Sequence, residues 1–460
     1  MNASIAGPRG LRSFLIIWLG ELISLVGSGL TSFALGVWIF ERTHQATPFA
    51  LTVLFGNLPR VLLLPLAGAL ADRWNRRWLM ILADTGSALV TLAAAALLWS
   101  GQLEIWHIYL IAVASSTFGA FQEPAYLASV SLLVPKQDLG RAAGLMQLSQ
   151  SLELLLAPVL AGLLFVSVGL NGIIALDFLT YFFAVGALLI VKIPQPPVAA
   201  EGPAQRASLL ADIVAGWHYL RARSGLFGLV LYFALANFSL NLAAVLVGPL
   251  ILATSAASVL GTIQMVGGLG MFVGSIVMSA WGGPRRRVLA LIGGISVGAA
   301  GLMLAGLNAS AWFPGVGLFV LMASVPVASA ASQAIFQSKV APAVQGRVFA
   351  MRGLISRSMM PLAFVLAGPL ADRLAQPLMS AHGSLGAGLL GSLLGTGPGR
   401  GIGLVFVMAG LLLAAASAVA LAYRPIRRLE TDLPDAIIEP APEPDAPAPV
   451  DSAVVATAAS

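Results

Sequence analysis

The sequence predicts an all-α integral membrane protein with twelve transmembrane helices in two pseudo-symmetric six-helix bundles. Three observations support this fold class. First, 58% of the 460 residues are hydrophobic and only 10% are charged, whereas a soluble domain has about 25% charged residues. Second, the mean hydropathy of +0.91 comes from apolar segments that recur along the chain. Third, two glycine- and arginine-rich turns occupy equivalent places in the two halves, which indicates an internal repeat.

Each apolar segment is long enough to cross about 30 Å of hydrocarbon. The segments cover 13–39, 49–71, 78–99, 105–133, 142–166, 170–191, 226–252, 257–280, 288–307, 312–338, 347–371 and 401–423. Between the sixth and the seventh, a Pro-rich stretch (193–206) leads into an amphipathic stretch (209–223), which we expect to lie as a helix on the membrane surface. The predicted units are therefore an N-terminal six-helix bundle (1–192), a cytoplasmic linker with an amphipathic helix (193–225), a C-terminal six-helix bundle (226–423) and a disordered cytoplasmic tail (424–460).

The distribution of basic residues predicts the orientation. With the N-terminus inside, nineteen of the 25 Lys and Arg residues fall in inner segments and three in outer loops. Cytoplasmic loops are enriched in these residues. We therefore expect a multi-pass protein of the plasma (inner) membrane with both termini in the cytoplasm. The same rule explains the net charge of +6 without nucleic acid as a partner.

The residue types disfavour several kinds of site. The chain has no cysteine, which excludes disulfides and thiolate ligands. Its four histidines form no spaced pair, so we expect no metal centre. The sequence has no Gly-x-x-x-x-Gly-Lys segment, which argues against direct use of ATP. It also has no nucleophile constellation, and we expect neither an enzyme nor a bound cofactor.

The loop after the second span reads GALADRWNRR (68–77), with one acid and three arginines inside an otherwise apolar region. It resembles the signature loop of the major facilitator superfamily. Further segments resemble the drug-efflux branch of that superfamily, in the group that contains macrolide efflux proteins and the enterobactin exporter. They are 18–41, 121–135, 261–287, QGRVFAMRGLISRS (345–358), GPLADR (368–373) and GPGRGIGL (397–404). LAPVLAGLLF (156–165) resembles, in weakened form, the glycine-rich motif of drug–proton antiporters.

The resemblance implies that this loop holds an inner gate shut while the cavity faces outward. The gating residues would be Gly68, Asp72, Arg73, Arg76 and Arg77. Opening the gate must break their contacts, so the loop would act in a two-state transition. The alternative is that the arginines only anchor and orient the loop as positive-inside residues.

Ionisable residues at bilayer depth are costly and therefore need a partner or a function. For proton coupling the candidates are Glu21, Glu123 and Glu153, because the sequence has no acid between Asp212 and Asp372. In the fold that the resemblance implies, helices one, four, seven and ten line the central cavity, which favours Glu21 and Glu123 as solvated groups. The alternative for Glu123 is a structural ion pair with Arg60.

Polar residues on the inner helices are candidates for substrate binding. They are Arg60, Asn237, Asn241, Gln264, Gln333 and Arg357. Arg352 and Arg357 could repel or receive an anionic group. For each of these residues the alternative is ordinary helix packing.

The sequence thus predicts a secondary transporter, expected as a monomer in the lipid bilayer, that exports amphipathic small molecules by proton antiport with alternating access. The alternatives are a siderophore or metabolite exporter of the same fold, an importer, a lysophospholipid flippase, and a non-transporting membrane scaffold.

Overall fold

The computed structural model describes residues 8–135, 138–193, 209–281, 286–308 and 310–434. The helices are α1 (Pro8–Thr43), α2 (Ala46–Arg73), α3 (Arg76–Trp99), α4 (Ile105–Leu133), α5 (Leu139–Ser167), α6 (Gly169–Ile190), α7 (Leu209–Arg221), α8 (Ser224–Leu252), α9 (Ala257–Trp281), α10 (Arg287–Leu307), α11 (Trp312–Lys339), α12 (Pro342–Pro369), α13 (Gln376–Leu378), α14 (Leu389–Leu394), α15 (Arg400–Ala422), α16 (Arg424–Arg427) and α17 (Leu429–Asp432). We call α1–α6 the N-terminal half and α8–α15 the C-terminal half.

The long helices agree with the predicted spans. Eleven helices in the described part of the chain are long and apolar enough to cross a membrane. The twelfth long helix is α4, which has 29 residues and contains the polar residues Ser115, Ser116, Thr117, Gln122 and Glu123. The all-helical membrane fold is therefore confirmed, and twelve spans are consistent with it.

The connections between the long helices define two ends of the molecule. At the end that we call the terminal end, α1 begins and α15 finishes. At the opposite end, the distal end, α1 connects to α2 and α8 connects to α9. The α1–α2 connection is short, with His44 in the left-handed backbone region at a φ of 51°.

A shared apolar core joins the two halves at the distal end. Val37 of α1 and Ala46, Ala50 and Leu54 of α2 belong to the same buried cluster as the helices of the C-terminal half. A separate buried cluster at the terminal end, which includes Phe14 of α1, contains residues of the N-terminal half alone. The core is thus continuous between the halves at the distal end.

The segment after α15 differs from the prediction of a disordered tail from residue 424. Residues 424–434 include α16 and α17 and pack onto the terminal end. The Glu430 carboxylate accepts hydrogen bonds from the backbone N–H groups of Arg287 (2.8 Å) and Val288 (3.3 Å). Buried Lys339 donates to the Glu430 carbonyl oxygen (2.8 Å). An acid that satisfies the free N–H groups at the start of α10 holds this segment in place. The remainder of the predicted tail, 435–460, lies outside the described residues.

Candidate functional site

Asp372 joins the two halves at the distal end. It lies in a six-residue π-helical segment, Leu370–Ala375, that directly follows α12. Its carboxylate accepts hydrogen bonds from the backbone N–H groups of Ala46 (2.9 Å) and Thr47 (2.7 Å) and from the Thr47 hydroxyl (2.6 Å). These donors form the first turn of α2, where N–H groups have no partner within the helix and the helix dipole favours an anion. Asp372 therefore caps a helix of the opposite half.

Glycines allow the halves to approach closely at the same end. A methyl group added at Gly162 of α5 would lie 2.8 Å from the carbonyl oxygen of Ala257 in α9. A methyl group at Gly261 of α9 would collide with the carbonyl oxygen of Pro158, and one at Gly368 of α12 would collide with the backbone of Thr47. Gly162 and Pro158 belong to the stretch LAPVLAGLLF. Its small residues thus serve a contact between the halves.

On the N-terminal half, Arg60 of α2 lies next to two of the three candidate proton carriers. Its Nε atom is 3.8 Å from Glu123 Oε2 on α4, and the two side chains are 53% and 48% exposed. Glu153 of α5 lies within electrostatic range of Arg60. Its side chain also faces Gly29 of α1. One guanidinium thus lies within electrostatic range of two carboxylates, and the side chains of Arg60 and Glu123 are both accessible.

Glu21, the third candidate, occupies a different place. It was expected to be solvated in the central cavity, but the structure places it inside the N-terminal half, where Gln122 of α4 donates to Glu21 Oε2 at 2.6 Å. Its Oε1 atom is buried without a hydrogen-bond partner, as are Asp84 Oδ2 and the Tyr126 hydroxyl. Asp84 and Glu21 are close enough for their charges to interact. The rotation of α1 about its own axis, which sequence cannot give, turns Glu21 toward α3 and α4.

A second buried acid braces the N-terminal half. Asp177 of α6 is 6% exposed. It accepts from the hydroxyls of Ser28 on α1 and Thr91 on α3, both at 3.4 Å. A buried carboxylate with hydroxyl partners on two neighbouring helices fits a structural role.

On the C-terminal half, the structure describes the contacts of Arg352 on α12. Its guanidinium donates to Ser332 Oγ (2.9 Å) and Gln333 Oε1 (3.2 Å) of α11. Its Cζ atom lies 4.7 Å from the centre of the Phe336 ring and 5.4 Å from that of Phe233 on α8. Gln333, a candidate for substrate binding, therefore accepts a hydrogen bond from Arg352.

The asparagines of α8 have local partners. Asn237 donates to the carbonyl oxygen of Phe233 and Asn241 to that of Asn237, at 2.8 and 2.7 Å. Asn237 also lines a small cavity of about 60 Å³ inside the C-terminal half, between α8, α10 and α11. Gln264 of α9 is half-buried. These three residues are not brought together with Arg60.

Two of the predicted gating arginines bind within their own half. Arg76 donates to the carbonyl oxygen of Ala128 (2.8 Å). Arg77 donates to those of Leu188 (2.6 Å) and Leu189 (2.8 Å), near the end of α6. These contacts favour the anchoring alternative, because carbonyl groups at a helix end attract a cation. The side chains of four further candidates, Gly68, Asp72, Arg73 and Arg357, lie outside the part of the structure that is described.

The sequence prediction missed Asp372, and it named Arg352 only together with Arg357, as residues that could repel or receive an anionic group. Asp372 was visible in GPLADR, whose Ala-Asp-Arg repeats that of GALADRWNRR on the other half. Arg352 was visible as an arginine inside a span without an acid nearby in the sequence.

Residues 17–365 match the Major Facilitator Superfamily. Macrolide efflux protein A of Streptococcus pyogenes is 29% identical over 371 residues, covering 78% of this chain and 90% of that protein. Enterobactin exporter EntS of Shigella flexneri is 29% identical over 238 residues, covering 49% of this chain and 56% of that protein.

Among solved structures, a bacterial homologue of the human lysosomal transporter Spinster, inward-facing and unoccupied, superposes with a TM-score of 0.68 at 15% identity. That match covers 95% of this chain and 100% of the other. The nucleoside transporter NupG matches with a TM-score of 0.60 at 15% identity, covering 90% of this chain and 100% of that one. The fold, the spans and the match over most of the sequence agree: this chain belongs to the Major Facilitator Superfamily and is a membrane transporter.

Proposed function

We propose that this transporter exports an amphipathic small molecule across the inner membrane in exchange for protons, with both termini and the terminal end in the cytoplasm. The relatives named for macrolide efflux and enterobactin export support the direction of transport. The excess of basic residues in the predicted inner segments supports the orientation.

The observation on which the proposal mainly rests is the contact between the halves at the distal end. The Asp372 carboxylate and the first turn of α2 are held by three hydrogen bonds, and each must break before the halves can separate there. The glycine contacts of α5 with α9 lie at the same end. A tight but polar contact of this kind suits a molecule that alternates between two arrangements, because water can replace its hydrogen bonds when it opens.

The coupling part of the proposal rests on Arg60, Glu123 and Glu153. A charged group in contact with lipid tails is costly, so the exposed Arg60 and Glu123 side chains are expected to face the aqueous space between the halves. A proton that binds to either carboxylate removes its attraction to Arg60. The guanidinium is then released toward the other carboxylate. Substrate entry and proton release can compete through this exchange.

The test measures proton movement in inverted membrane vesicles that contain the protein. Vesicles are acidified inside, and the recovery of a quenched pH-sensitive dye is followed as a macrolide or a catecholate siderophore is added. We expect substrate to trigger recovery in the wild type and expect Glu123→Gln and Glu153→Gln each to reduce its initial rate at least about a hundredfold, the lower end of the range for a lost proton-transfer group. Glu41→Gln makes the same change at an exposed position at the end of α1 and serves as the control.

Three outcomes separate the parts of the proposal. Loss of recovery in Glu123→Gln or Glu153→Gln, with an intact Glu41→Gln control, supports antiport through Arg60, Glu123 and Glu153. Recovery that persists in both variants refutes these carboxylates as the coupling groups. If neither the macrolide nor the siderophore triggers recovery, although the protein binds both compounds in detergent, proton-coupled export is refuted.

A further inference from the structure

Arg352 is a half-buried cation on α12 of the C-terminal half. It lies five residues after Arg347, where the candidate span begins. At 1.5 Å per residue this is about 7.5 Å along the helix axis, about a quarter of the way through the hydrocarbon. An arginine at that depth needs compensation for its lost hydration.

Among the described residues, the groups that contact Arg352 are neutral. Ser332 and Gln333 accept its hydrogen bonds, and the faces of Phe233 and Phe336 lie near its guanidinium. Aromatic faces attract a cation but leave its charge in place. The ion pairs recorded between described residues are Arg60–Glu123 and Arg141–Asp138, and Arg352 belongs to neither.

The sequence explains this lack of an acid. No Asp or Glu occurs between Asp212 and Asp372, a stretch that covers α8, α9, α10, α11 and nearly all of α12. The two halves therefore differ in sequence: Arg60 of the N-terminal half has Glu123 and Glu153 as acidic neighbours, whereas the spans around Arg352 contain no acid.

The guanidinium also has hydrogen-bonding capacity left. It has five N–H donors in a planar fork. Two hydrogen bonds to side chains are described, one from each terminal nitrogen. Three N–H groups are then left for a ligand, and the fork geometry favours a planar or tetrahedral oxyanion that accepts two bonds at once.

We propose that Arg352 binds the acidic group of an amphipathic organic anion whose apolar body lies against the half-buried Phe233. The acidic group is a carboxylate, a sulfonate or a phosphate. If the protein exports a solute, as proposed above, the inference names the class of that solute. The same chemistry occurs in the headgroup of a phospholipid, and the experiment separates these two sources.

The probes are naphthoate and naphthylmethylamine, which share an aromatic body and carry opposite charges. Their binding to detergent-purified protein is measured by isothermal titration calorimetry in a neutral maltoside. Arg352→Gln is expected to weaken naphthoate binding by about tenfold or more, as the loss of a charge-assisted pair implies. Naphthylmethylamine binding is expected to change by less than about twofold.

Two further variants guard against loss of folding and against a general effect of charge. Arg352→Lys keeps the charge and removes the fork, so we expect naphthoate binding between that of the wild type and that of Arg352→Gln. Arg223→Gln removes an arginine that lies 3.7 Å from the Tyr219 ring near the start of α8. It is expected to bind both probes as the wild type does.

The source of the anion follows from competition. Displacement of naphthoate by phosphatidylglycerol, in the wild type but not in Arg352→Gln, supports a lipid headgroup as the ligand. Naphthoate binding that is unaffected by phosphatidylglycerol supports a solute. Equal effects of Arg352→Gln on both probes, or no effect on either, overturn the proposal. Because binding is measured without a membrane, this result is independent of whether protons drive transport.

Discussion

Removal of the Asp372 carboxylate is expected to open the distal end. Asp372→Ala deletes three hydrogen bonds, two from backbone N–H groups and one from a hydroxyl. Water replaces these bonds once the halves separate, so we assign each a net value of about 1 kcal/mol, as for a helix cap. The closed arrangement then loses about 3 kcal/mol, which shifts the ratio of closed to open molecules about a hundredfold.

Spin labels can measure this shift directly. The chain contains no cysteine, so introduced cysteines are labelled without background. Gln102→Cys, between α3 and α4, and His382→Cys, between α13 and α14, place exposed labels on the two halves at the distal end. Double electron–electron resonance should show a longer distance population that is minor in the parent and dominant with Asp372→Ala.

A pair of labels at the terminal end tests alternation. Arg141→Cys on α5 and Arg424→Cys on α16 are exposed there on opposite halves. If the halves rock, their distance shortens as the distal distance lengthens. A lengthening at both ends would indicate general loosening instead.

A smaller perturbation provides the matched control. Thr47→Val keeps the shape and the backbone N–H and removes only the hydroxyl that donates to Asp372. At about 1 kcal/mol it should shift the ratio only about fivefold. Distal distances that stay unchanged in a folded Asp372→Ala protein would refute the reasoning, as would equal effects of Asp372→Ala and Thr47→Val.

Three further predictions follow from the packing. Gly261→Leu should lengthen the distal label distance and reduce efflux because a side chain there collides with the carbonyl of Pro158, whereas Gly293→Leu, where a methyl group meets open space, should do neither. Glu430→Ala should lower the midpoint of thermal unfolding in detergent, since α10 loses a cap worth about 1 kcal/mol; an unchanged midpoint would show that the segment after α15 adds no stability. Asp177→Ala should lower it further, because the Ser28 and Thr91 hydroxyls each lose a hydrogen bond to the carboxylate worth about 1 kcal/mol; a drop smaller than that of Glu430→Ala would contradict this role.

Most of the fold could be predicted because lipid imposes a simple rule. Every backbone polar group must be satisfied inside its own segment, so each long apolar run forms a helix. The predicted span 105–133 coincides with α4, and the amphipathic stretch 209–223 contains α7. The order of residues 424–434 was missed because it depends on contacts of Glu430 with residues about 140 positions away in the sequence.

The site was harder to predict because it depends on how each helix is rotated and which helices meet. Glu21 was placed on the correct helix, but its direction is set by Gln122 and the packing of α3 and α4. Asp372 and Thr47 are separated by 325 residues, and no local pattern connects them. The sequence identified the ionisable residues in the spans, and the structure was needed to distinguish those that brace a bundle from those that can respond to a ligand.

The charges in the spans are divided between the halves in a way that bears on coupling. The N-terminal half holds Arg60 with Glu123 and Glu153, whereas the C-terminal half holds Arg352 without an acid nearby. If the anion bound at Arg352 is the exported solute, Arg352→Gln should reduce substrate-triggered proton movement in the inverted vesicles even though Glu123 and Glu153 are intact, because the solute loses the guanidinium that binds it.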